Sequence, residues 1–195
     1  MFEMSSEVIS IIIKIAAILV TAVVVKTIDD VLDLENPYES PFAAFFQRGT
    51  LPYMIAIFSL ALVLHFETAF TLFWASYTIG MVRAPLQMLP TGVTGAVEIV
   101  IGILILIVVS GCSSTIWGLT VILAVQCMDD LLDQEVDNKR KGTNIAITIG
   151  QGECFLLFII ALYTAVTLQP VESTAAFVTA LWIGNGFSGK EVQSA

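Results

Sequence analysis

Most of the side chains able to do chemistry lie in two short blocks. Ile28-Asp29-Asp30-Val31-Leu32-Asp33-Leu34-Glu35 and Met128-Asp129-Asp130-Leu131-Leu132-Asp133-Gln134-Glu135 match at Asp, Asp, Leu, Asp and Glu, with an offset of one hundred residues. On a helix, Asp29 or Asp30 shares a face with Asp33, and Asp129, Asp130, Asp133 and Asp137 do the same, because residues three or four apart are neighbours. Their carboxylates then converge. Like charges gathered at a helix end need neutralising, and the nearby cations are outnumbered within each block. A divalent metal meets that need. Hard oxygen donors select Mg2+, with Mn2+ or Ca2+ next and zinc disfavoured; Mg2+ keeps positions open for water and substrate phosphates. The expected metal ligands are Asp29, Asp30, Asp33, Asp129, Asp130, Asp133 and Asp137, with Asp30, Asp33, Asp133 and Asp137 at the centre of any reaction. A metal-bridged diphosphate is the ligand this pattern suits. A single acidic run is usually a solvated loop, but its repetition at matching helix ends argues for a site.

The remaining candidates are fewer. Asn138-Lys139-Arg140-Lys141 reads first as a topology anchor, and Arg83, Lys139 and Arg140 are weaker diphosphate contacts. Glu98 is an acid early in an apolar span, so it is either functional or paired with a neighbouring helix. His65 reads as an interfacial or packed side chain. Cys112, Cys127 and Cys154 are widely spaced and suit neither a zinc site nor a disulfide framework, so they read as small buried residues. Trp74, Trp117 and Trp182 read as anchors or packing. No serine elbow, glycine-rich phosphate loop or HExxH pattern is present. The net charge of −9 is concentrated in the two blocks and does not suit a nucleic-acid partner.

The elements that must position these acids are apolar helices. The 195-residue chain is 57% hydrophobic and 13% charged, with mean hydropathy +0.90, whereas soluble domains are about a quarter charged. Runs such as Val8–Val25 and Val97–Val109 are apolar on all sides and need lipid or other helices to cover them. Met1–Glu7 lacks the basic start of a signal peptide, so the first run reads as a retained helix. Breakers divide the chain into seven segments: Val8–Lys26, Leu51–His65, Thr68–Met81, Thr91–Val109, Thr115–Met128, Thr143–Leu168 and Thr174–Gly184. With the N-terminus outside, Lys26, Arg48, Arg83, Lys139, Arg140, Lys141 and Lys190 all fall on the cytoplasmic side, as the positive-inside rule requires. The expectation is an all-α, multi-pass bundle in the plasma membrane, one domain over residues 1–195. The repeat divides it into pseudo-symmetric halves, approximately 8–90 and 91–190, with both acidic loops cytoplasmic and facing each other.

The two blocks and their setting resemble the UbiA superfamily of intramembrane prenyltransferases. Asp133-Gln134-Glu135-Val136-Asp137, followed by Gly142 and Ile145-Ala146-Ile147-Thr148-Ile149-Gly150, is similar to the family's Asp-x-Glu-Gly-Asp, Gly and Thr-Leu-Ala-x-x-x-Gly run. Asp29-Asp30-Val31-Leu32-Asp33 resembles its Asn-Asp-x-x-Asp motif. Asp29 stands where Asn is usual, Pro37 where a further Asp often stands, and Val136 where Gly is usual. The resemblance covers nearly the whole chain, less the first and last of the family's usual nine helices; a partner subunit or a homo-oligomer is one way to supply them. It implies a magnesium-dependent enzyme that joins a prenyl diphosphate to an acceptor. Three alternatives share the same residues: a non-catalytic membrane protein of this type, a divalent-ion carrier, and a UbiA-like lipid or carotenoid cyclase.

Overall fold

Apolar stretches separated by Gly, Pro and charged breaks become helices in the computed structural model, which describes residues 5–33, 50–82, 85–89, 91–132, 134 and 144–187. Seven helices lie among the described residues: α1 (Ser6–Asp33), α2 (Thr50–Leu64), α3 (Phe66–Met81), α4 (Gly95–Leu132), α5 (Ile145–Ile149), α6 (Gln151–Leu168) and α7 (Pro170–Phe187). No strand occurs among those residues; one isolated bridge pairs Met88 with Thr94. Three helical stretches, Ser6–Asp29, Gly95–Leu132 and Gln151–Leu168, are long and apolar enough to cross a membrane. Many apolar side chains face outward, Val63 and Val108 each with 83% of their surface exposed. A bilayer covers such a surface, and helices suit it because they satisfy their own backbone groups.

Helix breaks differ from the sequence expectation in two places. The expected Thr91–Val109 and Thr115–Met128 are observed as two helical stretches of α4 that meet at one non-helical residue, Gly111 at φ 78° and ψ 165°, where the sequence expectation left a gap over 110–114. The chain reverses there. Residue 102 lies against Thr78, and Ser110 accepts the Thr71 hydroxyl at 2.8 Å. Continued straight, residue 118 would lie about 12 Å past residue 110. Instead Gly118 returns to Thr71 and Ala75, so residues 95–110 and 112–132 form a helical hairpin against α3. Only glycine adopts that backbone readily. The second difference is Gly150, at φ 107°, which divides the expected Thr143–Leu168 into α5 and α6.

The chain falls into two compact units, one of residues 1–69 and 175–195 and the other of residues 70–174. In the first, α1 packs on α2, and the buried residues are Ala17, Ile18, Thr21, Val24 and Thr27 of α1 and Met54 and Ala61 of α2. In the second, α4 packs on α6, with Cys127 beside Cys154 and Trp117 reaching Ser173, which in turn bonds Ala165. The second pairing runs antiparallel, since Cys127 meets the start of α6 and Trp117 reaches its end through Ser173 and Ala165. The buried positions of α1 and α2 recur in α4 and α6 at an offset of one hundred: 17, 18, 21, 24 and 27 with 117, 118, 121, 124 and 127, and 54 and 61 with 154 and 161. Every position in 52–64 is buried, half-buried or exposed as its counterpart in 152–164 is.

Gly118 is the tightest of these contacts, since a Cβ there would lie 2.5 Å from Thr71 Cγ2 and 3.4 Å from the Thr71 carbonyl oxygen. Gly118→Ala is expected to destabilise the protein by about 1–3 kcal/mol through overpacking. Thr71→Ser, which removes Cγ2 and keeps the hydroxyl, is expected to recover most of that loss. Thermal unfolding of the single and double variants in detergent checks both.

Candidate functional site

The last turn of α4 delivers Asp129 and Asp130, and the two face differently. Asp130 extends the buried series Val121, Ala124 and Cys127 by a further three-residue step and is 4% exposed, whereas Asp129 is half-buried. Burial at this level demands partners for the carboxylate. Its Oδ2 accepts the Ile145 backbone N–H at 2.9 Å, and the Asp130 backbone oxygen accepts Asn144 Nδ2 at 2.8 Å.

Asn144 is itself buried and serves as the N-cap of α5, with extended backbone and Oδ1 accepting the Ile147 N–H at 3.2 Å. Asparagine ahead of an apolar run suits that position, because its short side chain satisfies an N–H that has no helical acceptor. The Thr148 hydroxyl donates back to the Asn144 carbonyl at 2.9 Å. The first turn of α5 is therefore held by one carboxylate and one amide. Beneath it, Cys127, Ala146 and Cys154 form an apolar cluster with Leu123, Leu131, Ile145, Leu157 and Phe158. At the far end of α5, a Cβ on Gly150 would meet Glu153 Oε2 at 2.3 Å.

This clamp ties the end of α4 to the start of α5. Asn144, twelve residues after Leu132, lies beside Asp130. Asp133, Asp137, Lys139 and Arg140 fall in that stretch and lie outside the described residues, as does Arg83. In the first block, Asp29 is half-buried and pairs with Lys26 at 3.8 Å, one turn back along α1. A surface pair of that kind contributes about 0–1 kcal/mol. Asp30 and Asp33 belong to α1, with their side chains outside the described residues. Among the described residues, no three of His, Cys, Asp or Glu come together as metal ligands.

Two further polar residues have structural partners that their spacing did not identify. Glu98, 8% exposed, accepts hydrogen bonds from the Tyr77 and Thr91 hydroxyls, tying α4 to α3 and to the turn before it. Its pairing with a neighbouring helix is thus the observed one. His65 is the single residue between α2 and α3, and its Nδ1 accepts the Thr68 N–H at 3.3 Å. It caps α3. Asn144 before an apolar run was a readable cap signal; nothing in the sequence pointed to Asp130 as its partner.

Compared with family models, with curated proteins and with solved structures, the chain matches none.

Replacement of Asn144 separates its two roles. Asn144→Ala removes the cap and the bond to Asp130, an expected loss of about 1–2 kcal/mol. Asn144→Asp keeps a good capping oxygen but sets a second acceptor against the Asp130 carbonyl. It is expected to destabilise as well, despite aspartate's high N-cap preference. Thermal unfolding at neutral pH checks the order.

Proposed function

We propose that this chain is a magnesium-dependent membrane enzyme of the UbiA-like prenyltransferase type, acting on a prenyl diphosphate through its two aspartate-rich motifs. The observation that carries the reading is the Asp130–Asn144–Ile145 clamp, which ties the end of α4, where the second acidic block begins, to the start of α5. Polar contacts that fix the elements flanking a motif give it a supporting frame. The matched burial of 17–27 with 117–127 is a second support, since it gives Asp29 and Asp129 equivalent places at the ends of duplicated helices.

The donor chemistry fits a hard cation. Asp29 and Asp129 offer carboxylate oxygen, while the thiols of Cys127 and Cys154 lie in the apolar cluster. Asp29, Asp30, Asp33, Asp129, Asp133 and Asp137 would hold Mg2+, or Mn2+ in its place. The metal, when bound, neutralises charge on the departing diphosphate. Arg83, Lys139 and Arg140 contact phosphate oxygens in this reading. The apolar helices exclude water from the prenyl chain, so that the reactive carbon meets its acceptor and not solvent. In this reading both acidic loops lie on the cytoplasmic side of the plasma membrane, with the N-terminus outside, an orientation that the distribution of Lys and Arg supports. Ion carriage is the poorer reading, because Glu98 is held by two hydroxyls of its own unit.

Calorimetric titration of detergent-purified protein with a farnesyl or geranylgeranyl diphosphate analogue tests this. Binding is expected in Mg2+, lost in chelator, and weakened about tenfold or more by Asp133→Asn, the range seen when a metal site loses a supporting group. Unchanged affinity in Asp133→Asn, or no uptake with Mg2+ present, overturns it.

A further inference from the structure

We infer that Asp130 is a positioning residue that holds the base of the acidic loop, and not one of the metal ligands its place in the motif suggests. The functional part of this inference rests on the proposed diphosphate site; the clamp itself does not. Asp130 and Asp129 are adjacent in sequence but about 100° apart around the helix. Only Asp130 continues the inward series of Val121, Ala124 and Cys127, and its carboxylate oxygen is aimed at the Ile145 N–H. A bond from a main-chain donor to a carboxylate at a helix start is shorter-ranged and more directional than a surface ion pair. It fixes the start of α5 against the end of α4, the element that carries the second acidic block.

Asparagine distinguishes the two roles. The Ile145 N–H needs one carbonyl-type oxygen, which Asn supplies in the same shape; a divalent cation needs the charge, which Asn lacks. The test uses full-length protein in detergent with two readouts, hydrogen exchange at the amides of residues 145–149 and Mg2+-dependent binding of farnesyl thiodiphosphate. Asp130→Ala is expected to speed exchange and to weaken binding about tenfold, as loss of a residue supporting a metal site does. Asp130→Asn is expected to restore both towards wild type, whereas Asp129→Asn leaves exchange protected and loses binding.

Loss of binding in Asp130→Asn with exchange still protected makes Asp130 a ligand and overturns the inference. Exchange unchanged in Asp130→Ala also overturns it. If Asp130→Ala yields no folded protein, Asp130→Asn decides alone: protection with binding supports the role, and protection without binding refutes it. If wild type takes up no thiodiphosphate in Mg2+, the prenyl reading fails, and the exchange of Asp130→Ala against Asp130→Asn still decides whether the clamp exists.

Discussion

A helix that ends among other helices, away from water, leaves backbone N–H and C=O groups that something must satisfy. Much of this structure is arranged around that requirement. Several breaks in the helical path are met by one or two polar side chains. Asp130 and Asn144 serve the start of α5, and His65 serves the start of α3. At the junction of α6 and α7, Ser173 gives its hydroxyl proton to the Ala165 carbonyl and accepts the Trp117 indole N–H. Before α4, the carbonyls of Pro85 and Gln87 take the N–H groups of Ala96 and Gly95. In apolar surroundings such contacts have no water to replace them, so a few residues determine where the chain turns.

The helical course was legible because hydrophobic runs of this length have few other solutions. The duplicated acidic block also marked the offset at which the buried positions later coincided. The breaks were less legible. Gly111 and Gly150 look like any glycine in an apolar stretch, and only φ values of 78° and 107° set them apart. Sequence reading placed a gap across 110–114 and none at 150. The observed path has a one-residue reversal at the first and a helix boundary at the second. A positive φ is a property of the backbone that many glycines permit and few use.

At the acidic end, the pattern treated the aspartates alike. Periodicity put Asp129, Asp130 and Asp133 near one another without saying which faced inward. That depends on α5, a five-residue helix too short to announce itself by hydrophobic spacing. Asn144 was the only local sign of it. Glu98 shows the same limit, since the hydroxyls of Tyr77 and Thr91 reach it from twenty-one and seven residues away.

Across the matched buried positions of the two long helices, side-chain size differs most at the first. Position 17 holds alanine and position 117 holds tryptophan, and both are almost wholly enclosed. A symmetric pair of identical chains must carry the same residue at both places, so any change is made twice and is tested in both surroundings at once. Joining the two copies in one polypeptide removes that coupling. Each half is then free to alter the volume of its interior by itself, and one half can specialise while the other preserves the scaffold.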